Sequence, residues 1–104
     1  MDITPIELND ALLAGESPLL IDVREPEELE ISVLPGVLNI PMNQIPSRIT
    51  TLDRDQDTIF VCRSGARSGQ VVHYLRSLGF SRVQNLLGGM NRWADDVDPS
   101  VQKY

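Results

Sequence analysis

With 104 residues, 41% of them hydrophobic, the chain can build one modest core and not two, so one domain over 1–104 is expected and wholesale disorder is excluded. Its formal net charge of −6 argues against a nucleic-acid or anionic-membrane partner, because phosphate contacts need clustered Lys and Arg. A single cysteine excludes an internal disulfide and a Cys-x-x-Cys redox pair; with no apolar leader near Met1 and no run able to span a bilayer, the composition suits a reducing, cytoplasmic setting.

Asp2-Ile3 predicts a short first strand. Thr4-Pro5-Ile6-Glu7 reads as a helix start, with Thr4 as N-cap, Pro5 at the first helical position and Glu7 completing a capping box. Leu8, Ala11 and Leu12 share a face, and Gly15 is placed to end the helix. Pro18 to Val23 is an apolar run without alternation, which suggests a strand covered on both faces, with Asp22 near its end. In Arg24 to Glu30, Pro26 and the acids suit the first turn of a short helix, and the glutamates read as a solvated face.

Leu34-Pro35-Gly36 predicts a turn and Val37 to Ile40 a short strand stopped by Pro41. Asn43 is placed to cap a helix carrying Ile45, Ile49 and Leu52 on one face. A polar turn, Asp53 to Asp57, precedes the strand Thr58 to Val61. Val71, Val72, Leu75 and Leu78 then keep helical spacing over 67–78, and Gly79 closes that helix. His73 falls off its apolar face and reads as a surface residue. Arg82 to Leu86 is a last strand, Gly88-Gly89-Met90 a loop, and Asn91 onward a final helix in which Trp93 reads as core. The polar segment 98–104 is expected to be loose. Strands alternating with helices over short connections indicate an α/β domain with a mainly parallel sheet, in which ligands sit outside the carboxyl ends of the strands. Asp22, Cys62 and the Gly88-Gly89 turn all fall at such ends, and Met90 or the glycine backbone is expected to line the pocket mouth.

Cys62 is the candidate nucleophile. It ends the apolar strand and faces a helix start across Arg63, Ser64, Gly65, Ala66, Arg67 and Ser68. A loop curled around the sulfur would aim the N–H groups from Arg63 to Ser68 at it. Such a nest, with the positive end of a helix dipole, favours a thiolate, a persulfide or a bound oxyanion. Gly65 permits a backbone angle that larger residues resist. Arg67 can hold the far side of the loop through its forked guanidinium, leaving Arg63 free to meet an incoming anion.

Cys62-Arg63-Ser64-Gly65-Ala66-Arg67-Ser68 resembles the active-site loop of the rhodanese family of single-domain sulfurtransferases. The resemblance extends through Ile3-Thr4-Pro5, Leu20-Ile21-Asp22-Val23-Arg24-Glu25, Leu34-Pro35-Gly36-Val37, Asn39-Ile40-Pro41, Gly79-Phe80 and Leu87-Gly88-Gly89 with Trp93. It implies a rhodanese-like α/β fold, a mainly parallel central sheet flanked by helices on both faces. It also implies a two-step transfer of sulfane sulfur through a persulfide on Cys62, from a small anionic donor such as thiosulfate to cyanide, a thiol or a carrier protein. No metal or organic cofactor is implied. Asp22 is a candidate for supporting the loop; a turn or capping acid is the alternative. The family's Gly-His pair before the Pro-Gly turn is absent, Ser32-Val33-Leu34 standing there. The segment Glu30 to Gly36 is more similar to rhodanese domains attached to enzymes that load sulfur onto ubiquitin-like carriers, which raises a protein sulfur acceptor. Two rival readings share the scaffold: a non-catalytic binding or regulatory module, and a cysteine-dependent phosphatase. The phosphatases place one more residue between the cysteine and the arginine and use a general acid that this loop lacks.

Overall fold

Five short parallel strands build the centre of the computed structural model, which describes residues 1–104. They are β1 (Asp2–Ile3), β2 (Leu19–Asp22), β3 (Leu38–Asn39), β4 (Thr58–Val61) and β5 (Val83–Leu86), in the order β1-β5-β4-β2-β3. The helices are α1 (Pro5–Leu13), α2 (Pro26–Leu29), α3 (Ile45–Arg48), α4 (Ala66–Ser77) and α5 (Gly89–Asp96), with single 3-10 turns at Met42–Gln44 and Ile49–Thr51.

Period-two geometry sends successive side chains of β2 and β4 to opposite faces, and both faces are covered. Ile21, Phe60 and Cys62 enter a core with Ile45 of α3 and Val71, Val72 and Leu75 of α4. Leu20, Ile59 and Val61 enter a second core with Leu8 of α1 and Met90 and Trp93 of α5. This is the doubly covered α/β architecture that the uninterrupted apolar runs imply. β4 lies in the middle, paired with β2 from Thr58 to Val61 and with β5 from Thr58 to Phe60. Cys62 therefore leaves the sheet at its best-supported point.

Local signals are met at several ends. The Thr4 hydroxyl accepts the Glu7 N–H at 3.1 Å, and the Glu7 carboxylate accepts the Thr4 N–H at 2.9 Å, closing the expected capping box. At the end of α4, the Gly79 N–H reaches the Arg76 carbonyl at 3.0 Å and the Phe80 N–H reaches the Leu75 carbonyl at 3.1 Å. That pair is a Schellman motif, and Leu75 and Phe80 complete it by packing in the same core.

Four expectations are corrected. The helix anticipated after Asn43 is broken into a 3-10 turn, one α turn and a second 3-10 turn, and Asn43 lies inside the first without capping. Pro46 has no N–H for the Met42 carbonyl, which takes the Ile45 N–H in a tighter turn instead. The last helix starts at Gly89 rather than Asn91, and Met90 is fully buried in the second core, not at a pocket mouth. The segment 98–104 packs back on the protein: Val101 against the second core, Lys103 on Asp95 at 2.7 Å, and the Tyr104 hydroxyl within the Arg24–Glu28 network. Its polar composition hid this, because one aliphatic and one aromatic residue suffice to anchor so short a stretch.

Candidate active site

Everything around Cys62 turns on where the backbone of residues 62–68 points. The side chain is buried, the whole residue being 1% exposed. Its Sγ accepts the Gly65 N–H at 3.1 Å and the Ser68 N–H at 3.4 Å, and the Ser68 hydroxyl stands 3.2 Å away. The cradle is thus narrower than the sequence suggests: two amides and one hydroxyl reach the sulfur, not every amide from Arg63 to Ser68.

The loop's carbonyls are held away from the sulfur. Cys62 O accepts the Met90 N–H at 2.9 Å and Arg63 O accepts the Asn91 N–H at 3.0 Å, both from the first turn of α5. Gly65 O accepts the Gly69 N–H at 3.0 Å and the Asn85 Nδ2–H at 3.1 Å. These bonds give three loop carbonyls partners away from the sulfur and tie the loop to α5 and to Asn85, while the amides that reach the sulfur belong to the Ser64–Gly65 and Arg67–Ser68 peptides. The close approach of α5 requires Gly89: a Cβ there would lie 2.3 Å from Cys62 O. Gly65 adopts φ +93°, the left-handed angle that curls the loop into α4.

Asn85, on β5 beside β4, was not singled out from sequence. Its Nδ2 faces a carbonyl, which can only accept, so Oδ1 faces the Ser68 hydroxyl and accepts its proton. Ser68 owns one hydroxyl hydrogen and two claimants. When the sulfur is a thiol, S–H can donate to Ser68 Oγ while Ser68 donates to Asn85. When it is an anion, the Ser68 hydrogen turns to the sulfur.

The two loop arginines have different partners. Arg67 donates to Glu28 through both terminal nitrogens, at 2.7 and 2.8 Å. That guanidinium, together with the Glu25 N–H and the Tyr104 hydroxyl, holds the Glu28 carboxyl down at about 2 against partial burial. The same pair raises Arg67 above its ordinary range. Glu28 is therefore no solvated-face residue; it ties α2 to the loop. Arg63 is exposed and its guanidinium lies over the Tyr104 ring, 4.8 Å from the centroid. Ser64 and Ala66 are exposed at the loop rim, and His73 is exposed on α4.

Asp22 makes no hydrogen bond or ion pair with residues 62–68. It is fully buried and paired with Arg24, also fully buried, at 2.7 Å. Arg24 spends all five of its N–H groups: Nε and one from Nη2 on Asp22, the other from Nη2 on Ser32 O, and those of Nη1 on Glu28 O and the Tyr104 hydroxyl. Through hydrogen bonds Asp22 is linked to Arg67 by Arg24 and Glu28, the step from Arg24 to Glu28 being direct at the Glu28 carbonyl and also made by way of the Tyr104 hydroxyl. One sequence signal could have found Arg24: two residues apart on an extended chain, Asp22 and Arg24 share a face. A cavity of about 350 Å³ between Ile3, Ala11, Pro18 and Ile59 lies at the amino ends of β2 and β4, away from Cys62.

Residues 4–96 match the model of the rhodanese-like domain. The chain is 42% identical over 94 residues to a protein named sulfurtransferase from Allochromatium vinosum, covering 90% of this chain and 88% of that one. It is 34% identical to the adenylyltransferase and sulfurtransferase uba4 of Ogataea parapolymorpha, over 91% of this chain and 25% of that longer protein. Among solved structures, a rhodanese-like domain protein from Staphylococcus aureus superposes with a TM-score of 0.83 at 32% identity, over 100% of this chain and 99% of that one.

Proposed function

Since this chain belongs to the rhodanese-like domain family, whose named sulfurtransferases support sulfur transfer in general, we propose that it accepts a sulfane sulfur on Cys62 from a small anionic donor and hands it to a thiophilic acceptor. The observation that carries this reading is the set of donors on Cys62 Sγ: the Gly65 and Ser68 N–H groups and the Ser68 hydroxyl.

With thiosulfate, the Cys62 thiolate attacks the outer sulfur. A new S–S bond forms, the bond to the sulfonate sulfur breaks, and its electron pair leaves with sulfite. The persulfide then carries the negative charge, which the loop amides stabilise as an oxyanion hole would. In the second step a cyanide or thiolate takes the outer sulfur, and the electron pair returns to Cys62. Two anions meet in the first step, and Arg63, which has no carboxylate partner, is the group placed to reduce their repulsion. A carrier protein is a further acceptor class, supported by the longer relative whose name joins adenylyl transfer to sulfur transfer.

The test is the intact mass of the protein after thiosulfate treatment. A gain of one sulfur atom, released by cyanide as thiocyanate and absent in Cys62→Ser, is the expected result. No gain, together with phosphate release from an aryl phosphate, would establish the phosphatase; neither activity would leave a binding module.

A further inference from the structure

We infer that Tyr104 is a positioning residue for the anion contact at the loop mouth: its ring holds the Arg63 guanidinium in place without neutralising it. This rests on the reading of Cys62 as the sulfur-accepting nucleophile and Arg63 as the donor's anion contact.

Arg63 and Arg67 bracket the same turn yet are held in opposite ways. Arg67 is fully engaged by the Glu28 carboxylate, so its charge is compensated. No carboxylate stands within 4.0 Å of the Arg63 guanidinium, which instead lies 4.8 Å from the centroid of the Tyr104 ring. An acidic neighbour would orient Arg63 but cancel the field that an anionic donor needs. An aromatic face attracts the cation through its quadrupole and leaves the N–H edges of the planar group unbonded.

The platform is itself anchored. The Tyr104 hydroxyl accepts from Arg24 Nη1 at 2.9 Å and donates to Glu28 Oε1 at 2.8 Å. Arg24 is fully buried against Asp22, and Glu28 is locked to Arg67, so both anchors belong to the rigid side of the site. Upstream, Lys103 is held by Asp95 and Val101 by the second core, which routes the segment past α5 to the loop. The ring is thus a fixed surface. Asp22 and Arg24 acquire a role in this arrangement through the hydroxyl they help to hold.

The experiment compares the rates at which Cys62 in the full chain is alkylated by iodoacetate, an anion, and by iodoacetamide, its neutral counterpart, at one pH and ionic strength. Arg63→Ala is expected to lower the anion-to-neutral ratio. Tyr104→Leu should lower it about threefold while leaving the iodoacetamide rate nearly unchanged, and should raise the KM for thiosulfate with kcat held. Tyr104→Phe, which keeps the ring and loses the anchor, should fall between Tyr104→Leu and the wild type. In an Arg63→Ala background Tyr104→Leu should change nothing further. A Tyr104→Leu ratio equal to wild type, with Arg63→Ala lowering it, overturns the inference and leaves the proposed function standing. Equal slowing by both reagents in Tyr104→Leu also overturns it, by making Tyr104 a support of the loop. An Arg63→Ala ratio equal to wild type removes the anion contact itself, and the inference with it. Failure of wild-type Cys62 to react with either reagent or to load sulfur sinks the underlying reading first.

Discussion

Glu28 and Arg67 face each other through two parallel hydrogen bonds, Arg67 Nη1 to Glu28 Oε2 at 2.7 Å and Nη2 to Oε1 at 2.8 Å, closing a separation of 39 residues. The fork matches the carboxylate plane, so the pair fixes orientation as well as distance. It joins α2, at the end of β2, to the first turn of α4, at the end of β4. The loop around Cys62 is clamped between these two strand ends.

That clamp has a pH signature. The Glu28 carboxyl is lowered from its ordinary 4.5 to about 2 by Arg67, so it binds a proton more readily in the unfolded chain. Its stabilisation is present above the unfolded value and is lost as pH falls from 4.5 towards 2. Glu28→Gln should melt lower than wild type at neutral pH and show a shallower loss of melting temperature across that acid window. Thermal melts of both proteins at a series of pH values check it. Parallel curves would remove Glu28 from the linkage.

The two loop arginines should separate by what they touch. Arg63→Ala removes an exposed, carboxylate-free guanidinium, and should weaken thiosulfate use with little change in melting temperature. Arg67→Ala leaves Glu28 without its fork and should reduce both. Equal melting temperatures for the two variants contradict this division.

Ser68 has one hydroxyl hydrogen for two neighbours, Cys62 Sγ and Asn85 Oδ1. Removing it in Ser68→Ala should slow sulfur loading about tenfold, the order of one lost hydrogen bond to an anion. Asn85→Leu abolishes the competing acceptor, while Gly65 O keeps its Gly69 donor. The two substitutions should therefore be non-additive in a double-mutant cycle of the loading rate. Additive effects would mean that the three side chains act independently.

Gly89→Ala would place a methyl group 2.3 Å from Cys62 O and 2.6 Å from Arg63 O, both backbone atoms with no freedom to swing aside. α5 must then retreat, breaking the Met90 and Asn91 bonds that turn the loop carbonyls outward. A destabilisation of about 2 kcal/mol or more and a large loss of loading are expected, read by denaturant melts and by intact mass.

Breaking the fully buried Asp22–Arg24 pair by Arg24→Met strands a carboxylate without water, at a cost of roughly 3–5 kcal/mol. Replacing both, as Asp22→Leu with Arg24→Met, should cost less than the single change. Since Asp22 makes no hydrogen bond or ion pair with the loop, the double variant should still load sulfur at low temperature, more weakly for lack of the Tyr104 anchor. Complete loss of loading in a folded double variant would show a nearer role for Asp22.

Much of this organisation is legible along the chain. The uninterrupted apolar runs of β2 and β4, the capping box at Thr4 and the glycine after α4 are all local. Each depends on backbone periods and on neighbours three or four residues away. The position of Cys62 between a buried strand and a helix start is local too, and so is the glycine that curls the loop. Where local reasoning failed, a partner arrived from elsewhere. Glu28 looked solvated because Arg67 is distant in sequence. Asn85 looked like an ordinary strand residue because nothing nearby says that β5 lies beside β4. Tyr104 looked like part of a loose tail because its two anchors are 76 and 80 residues away.

The sequence by itself thus determined the layers, the place of Cys62 at a strand end and the sharp turn that follows it, since alternation, helical spacing and glycine angles are properties of the chain's own geometry. Only the tertiary structure decided which carbonyls turn from the sulfur, which carboxylate engages Arg67, and that Arg63 rests on a ring instead of an acid. Those choices follow from strand order, which brings remote residues to one edge of the sheet. A hydrogen bond or an ion pair depends on distance in space, and spacing along the chain does not encode that distance.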